Sequence, residues 1–311
     1  MNLNTFLSIY YFLAVLLFAG KALALCSNLS ISSIQTLVDL NSSAQQTLVI
    51  EVSTGVIQLG SCSFALTFSY GNGGLSAPHR ALQQSSYRWN YTLAKDLAET
   101  QILPSSADAT SATALIGSIP AGQSKGTVTY HILLDQTNPW QRFGSYSDVY
   151  SVRLYNDVLD LLTLPSDTKS VTAQYTAPKK ADLSLVNSGG VFDLSDTAQT
   201  INFGVLNSGA SSSFDLILKY NAGSRLLASS DNGGNMKHAT AADLIPYSMT
   251  LNGVAINLNG SSTSPALLIN TTGVSPASGS IHPVSITLGN AGGVSAGSYN
   301  DKITFTIEST E

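Results

Sequence analysis

The chain has 311 residues, a formal net charge of -5 and 11% charged residues, beside a hydrophobic fraction of 43% that is ordinary for a globular protein. This composition excludes a disordered chain, and the absence of a basic run excludes a phosphate-binding surface, so no nucleic acid is expected as a partner. The length suits one large domain or two of medium size.

In chain order, Phe6 to Gly20 is apolar except for Ser8. At about 15 residues it is short of the roughly 20 that a membrane span needs. Ala22-Leu23-Ala24 follows, a small-x-small cleavage pattern, so residues 1–24 are expected to be a signal peptide and the mature chain exported. A lipoprotein site at Cys26 is the competing reading; Leu25 disfavours it, standing where a small residue should precede the cysteine. The two cysteines, Cys26 and Cys62, are expected to form one disulfide in an oxidising compartment. No neighbouring His or Cys completes a metal site, and no cofactor is expected.

The mature chain alternates with period two, the pattern of half-buried strands. Phe64, Leu66, Phe68 and Tyr70 share one face. Thr127–Leu133, Val149–Tyr155, Phe214–Tyr220, Val284–Leu288 and Ile303–Ile307 behave alike, with turns such as Asn72-Gly73-Gly74 and Asn232-Gly233-Gly234 between them. Many short strands and no helical period predict an all-β fold of sandwiches or barrels.

The two halves repeat one another in order. Ser63-Phe64-Ala65-Leu66 recurs as Ser213-Phe214-Asp215-Leu216, and the Asn-Gly-Gly turns correspond. Asn90-Tyr91-Thr92-Leu93 corresponds to the stretch from Pro246-Tyr247 to Gly253. Gly144-Ser145-Tyr146-Ser147-Asp148 corresponds to Gly297-Ser298-Tyr299-Asn300-Asp301. A boundary is expected at the Pro-containing stretch Thr176–Lys180, giving domains 25–177 and 178–311.

The G-x-Y-x-D run before the final strand, the N-G-G turn and the Ile245-Pro246-Tyr247 strand start resemble the spore coat U domain family, which also builds archaic, Csu-type chaperone–usher pili. The resemblance spans nearly the whole mature chain as two copies. It is clearest from Asp182 to Ile307, where Phe203-Gly204 also fits. It implies two immunoglobulin-like β-sandwich domains with an incomplete sheet, completed by a β-strand that a neighbouring subunit donates. The implied partners are a periplasmic pilus chaperone, an outer-membrane usher, an adjacent pilin and an abiotic or host surface.

The strand inventory points to one kind of subunit within that family. Val171, Ala173 and Tyr175 alternate as a last strand of the first domain, whereas only Glu308–Glu311 follow Ile307. The second domain is therefore expected to lack its last strand. Only Leu25 would precede Cys26 after cleavage, leaving no donor extension. A chain that accepts a strand and donates none is expected to be the adhesive tip subunit, at the cell surface.

The resemblance implies apolar loops at the free end of the first domain. The hairpin Asn156–Asp167 carries Val158, Leu159, Leu161, Leu162 and Leu164 and is the first candidate for surface binding, against core-capping leucines as the alternative. Ile102 and Leu103, then Leu115 and Ile116, are further candidates, against buried loop anchors. Trp140 and Phe143 read as packing near the second domain. A sugar-binding tip using Trp89 and Tyr87, or a structural coat or pilus subunit, are the alternative functions. No enzyme is expected. Gly293-Val294-Ser295-Ala296-Gly297 matches a nucleophile elbow but leads into a strand rather than a helix. His79, His131, His238 and His282 are scattered.

Overall fold

The computed structural model describes residue 26 and residues 28–73, 80–156, 161 and 164–310. The expected signal peptide, His79 and the hairpin residues Val158, Leu159 and Leu162 lie outside the described residues. Among those described, every regular element is a strand, as the period-two pattern predicts. The chain divides into two compact units. Unit 1 holds Met1–Thr137 and Ser145–Tyr175, and unit 2 holds Asn138–Gly144 and Thr176–Glu311.

Unit 1 contains β1 (Ser30–Ile34), β2 (Leu37–Asp39), β3 (Gln45–Ser53), β4 (Cys62–Phe68), β5 (Arg80–Gln84) and β6 (Tyr87–Ala94). It continues with β7 (Leu115–Ile119), β8 (Lys125–Leu134), β9 (Gly144–Tyr155) and β10 (Asp167–Ala177). One layer runs β1-β3-β8-β6-β5 and the other β7-β4-β9-β10-β2, joined through the pair Gln83–Ser147. This is the strand order of an immunoglobulin-like sandwich. The Cys26–Cys62 disulfide forms as expected, with Cα atoms 5.4 Å apart and both residues buried. It ties the chain just before β1 to the start of β4, and so links the two layers.

Unit 2 contains β11 (Ala181–Val186), β12 (Ser211–Tyr220), β13 (Ser224–Ser230), β14 (Asn235–His238), β15 (Leu244–Leu251) and β16 (Val254–Ile256). It ends with β17 (Ala266–Thr271), β18 (Ser280–Leu288), β19 (Tyr299–Asn300) and β20 (Ile303–Ser309). One layer runs β11-β12-β18-β15-β14-β19, with β16 beside β15; the other is β17-β13-β20. Phe214, Leu216 and Leu218 of β12 alternate into a core shared with Leu226 of β13, Met249 of β15 and Val284 of β18. In the same unit Trp140 packs edge-on to Phe192 at 6.1 Å, with the Lys219 ammonium over both rings.

Six ladders of the two units coincide. The ladders β1–β3, β3–β8, β8–β6, β6–β5, β4–β7 and β4–β9 have counterparts in β11–β12, β12–β18, β18–β15, β15–β14, β13–β17 and β13–β20. The duplication is thus a property of the fold, with one correction. Ser63–Leu66 lies on β4 while Ser213–Leu216 lies on β12, whose counterpart is β3. That likeness reflects only the generic alternation of two buried strands.

Candidate functional site

The other repeated motifs converge on one network in each unit. In unit 1, Asp148 Oδ1 accepts from the backbone N–H groups of Asn72 (2.6 Å) and Gly73 (3.0 Å), and Oδ2 accepts from the Tyr91 hydroxyl. In unit 2, Asp301 Oδ1 accepts from the Asn232 backbone (3.0 Å) and side chain (2.9 Å), and Oδ2 from Ser230 and Tyr247, both at 2.6 Å. The N-G-G turn, the tyrosine of the middle strand and the aspartate of G-S-Y-x-D are therefore one device. It fixes the turn after β4 or β13 to the strand that follows the G-S-Y-x-D run.

That shared frame makes a difference between the units legible. Tyr150, Val152 and Leu154 of β9 are fully buried, because β4 lies on one side of β9 and β10 on the other. Counting from the equivalent aspartates, their counterparts are Ile303, Phe305 and Ile307 of β20, and all three are only half-buried. β20 pairs with β13 on one side, and its other edge has no strand partner among the described residues.

The connection between β11 and β12, where unit 1 carries β2, forms no strand; Ile201 and Phe203 pack from it against the core. Between that connection and β20 lies a groove of about 320 Å³, walled by Leu185, Ile201, Phe203, Phe214, Ile303 and Phe305. A row of apolar side chains beside an unpaired strand edge is what one further strand would cover.

The loops at one end of unit 1 form a second site. Cys62 pairs with Ile119, Ser53 with Lys125 and Ala65 with Tyr155, so connections 54–61 and 120–124 and the described residues 156, 161 and 164–166 after β9 emerge together. The first two are laced by Gln58 N–H to Gln123 O (2.9 Å) and Gly122 N–H to Gln58 O (2.8 Å). From this end Val56, Ile57 and Leu59 project into solvent, Ile57 being 68% exposed, together with Leu164 at 92%. Leu161 instead packs half-buried against Ala65, Ala114 and Tyr155.

Val56, Ile57 and Leu59 are absent from the candidates read from the sequence. Between Gly55 and Gly60 the apolar run Val-Ile-Gln-Leu is indistinguishable by pattern from one more strand.

Several sequence candidates are corrected. Leu103 and Leu115 are 1% and 4% exposed, so they are core anchors rather than surface contacts. The Leu103 carbonyl accepts from the fully buried Arg80 guanidinium (3.0 Å), which also donates to the carbonyls of Phe68, Ser69 and Pro104. Ile102 is half-buried, bridging Ala94, and Ile116 is exposed on β7.

Trp89 offers no face to a sugar. It is buried, edge-on to Tyr146 and Tyr175, and its indole N–H donates to the Asp135 carbonyl.

The G-x-S-x-G run is a loop, although it stands close to His238 and Asp243. His238 Nδ1 accepts from the backbone N–H groups of Thr240 (3.1 Å) and Ala241 (2.8 Å), which leaves Nε2 to donate to the Ala296 carbonyl. Asp243 accepts from the Ser295 backbone N–H. Both ring nitrogens are committed to backbone, so this histidine has no lone pair for a serine proton.

No family model matches the chain, the spore coat U domain included, and no curated protein matches it in sequence. Among solved structures it is similar to a chain of the CsuC–CsuE chaperone–tip adhesion subunit pre-assembly complex from archaic chaperone–usher Csu pili of Acinetobacter baumannii. Identity is 14%, coverage 90% of this chain and 99% of that one, and the TM-score 0.43. It is also similar to the CupB6 tip adhesin from Pseudomonas aeruginosa, at 12% identity, 85% and 86% coverage and a TM-score of 0.34. A third similar structure is a mutant of CfaE, the CFA/I adhesin of enterotoxigenic E. coli, at 9% identity, 89% and 92% coverage and a TM-score of 0.34.

Proposed function

We propose that this chain is the adhesive tip subunit of a pilus assembled by the chaperone–usher route, with unit 2 accepting a β-strand and unit 1 attaching to a surface. One observation carries the reading. The row Ile303, Phe305 and Ile307 is half-buried beside an unpaired edge, whereas the equivalent row in unit 1 is fully covered with β10 in place. Such an edge invites pairing with another chain, so a soluble precursor needs a strand supplied in trans. In this reading a periplasmic chaperone supplies it first, and an adjacent pilin replaces the chaperone at the usher. The apolar loop end of unit 1 then meets the surface through Val56, Ile57, Leu59 and Leu164, by area burial rather than by a specific chemical contact.

The test is to fuse an alternating apolar strand after Glu311 through a flexible linker. The fused chain should be monomeric and melt higher than the unfused chain, which should self-associate. Equal melting temperatures and a monomeric unfused chain would overturn the strand-accepting reading.

A further inference from the structure

Unit 1 shows the slot filled, so it serves as a template for what unit 2 lacks. Tyr91 and Tyr247 are equivalent, as are Asp148 and Asp301, and the strand registers extend the correspondence inward. Leu48, Phe68, Tyr130, Tyr150 and Val152 then stand where unit 2 has Phe214, Ala228, Val284, Ile303 and Phe305.

These two sets fill space differently. In unit 1 the hydroxyls of Tyr130 and Tyr150 meet at 2.9 Å in the middle of the core, and the Phe68 ring lies 4.9 Å from Tyr130 and 6.4 Å from Tyr150. With that volume already occupied, β10 completes the core with only Val171 and Ala173 as fully buried side chains along its middle. In unit 2 neither tyrosine is present, and a methyl group at Ala228 replaces the phenylalanine ring. Phe214 and Phe305, edge-on at 6.3 Å, restore only part of the loss.

The lining also has a charge preference. Among the described residues that line the groove Asp301 is the only charged one, and its carboxylate already accepts from Ser230, Asn232 and Tyr247. An ion entering on the donated strand would find no partner.

We infer that the slot of unit 2 selects an uncharged, alternating strand of another polypeptide whose inward side chains are larger than Val171 and Ala173, with Ile303 as the specificity-determining residue. The inference rests on the strand-accepting reading. Its physical basis is that small side chains would leave an apolar void, and the cost of a void rises with its volume. One consequence is that β10 of a second copy is a poor fit to this slot, which disfavours strand swapping between copies.

The test uses the full chain and fluorescent peptides with the uncharged sequence of residues 170–177. One peptide is unchanged, one carries Val171→Phe, one Ala173→Leu, and one both. The enlarged peptides should bind about tenfold tighter or more than the unchanged one by fluorescence anisotropy. Ile303→Tyr, which restores a unit 1 side chain, should shift the preference back toward the unchanged peptide. If the unchanged peptide binds as tightly as the enlarged ones, the size selection is wrong while strand acceptance stands. If no peptide binds or moves the melting temperature, strand acceptance fails and the selection falls with it.

Discussion

The Tyr247 hydroxyl donates to Asp301 Oδ2 at 2.6 Å. The two residues lie 54 positions apart, and the bond joins two of the short motifs that the halves of the chain share. Tyr91 and Asp148 repeat it in unit 1, also at 2.6 Å. Replacing either tyrosine with phenylalanine keeps the ring and removes the donor. Each change should lower the stability of its own unit by about 1.5–3 kcal/mol, the usual range for a hydrogen bond to a charged group. Tyr91→Phe should cost more, because Asp148 is buried and loses its hydroxyl partner out of reach of solvent. Urea titration of each variant measures the difference; an unchanged midpoint would assign the network no structural weight.

Alkaline pH should destabilise unit 1 more than unit 2, where burial and the hydrogen bond to Asp301 also raise one half-buried tyrosine, Tyr247. Burial raises the hydroxyls of Tyr91, Tyr130 and Tyr150 above the ordinary value of 10.0, with Tyr130 pushed up to about 12. The folded state therefore keeps protons that the unfolded chain releases near pH 10. Their contribution is complete below about pH 10 and declines as pH rises toward 12 and beyond. Tyrosinate absorbance from these residues should appear together with unfolding. Ionisation ahead of unfolding would show that the rings are solvated.

Reduction of Cys26–Cys62 should act on one unit only. The bond closes a loop with a sequence separation of 36, for which loop-closure entropy gives about 4 kcal/mol. With reductant, the transition of unit 1 should move to lower temperature while that of unit 2 stays in place. Equal shifts of both transitions would mean that the units do not unfold separately.

Exposed and buried leucines should separate attachment from stability. Val56→Ser, Ile57→Ser and Leu59→Ser remove apolar area that is already in water, so each should change stability by no more than about 0.5 kcal/mol. Together with Leu164→Ser they should abolish attachment to hydrophobic plastic. Leu103→Ala and Leu115→Ala open cavities instead and should each cost about 2–5 kcal/mol. Attachment that survives the four serine changes would place the adhesive contact elsewhere.

The sequence by itself determined the all-β class, the disulfide and the duplication, because each leaves a local or pairwise mark. Strand alternation has period two, two cysteines admit one intramolecular pair, and Asn-Gly-Gly and Gly-Ser-Tyr recur in order. Only the tertiary structure decided which apolar residues face water. Leu103 and Leu59 look alike in the chain, yet the first is buried, its backbone held by Leu93 and Arg80, while the second stands outside on the laced loops 54–61 and 120–124. The half-buried state of Ile303, Phe305 and Ile307 was equally invisible. Their alternation matches that of Tyr150, Val152 and Leu154, and what differs is the neighbouring strand, a partner that residues on the strand itself do not encode.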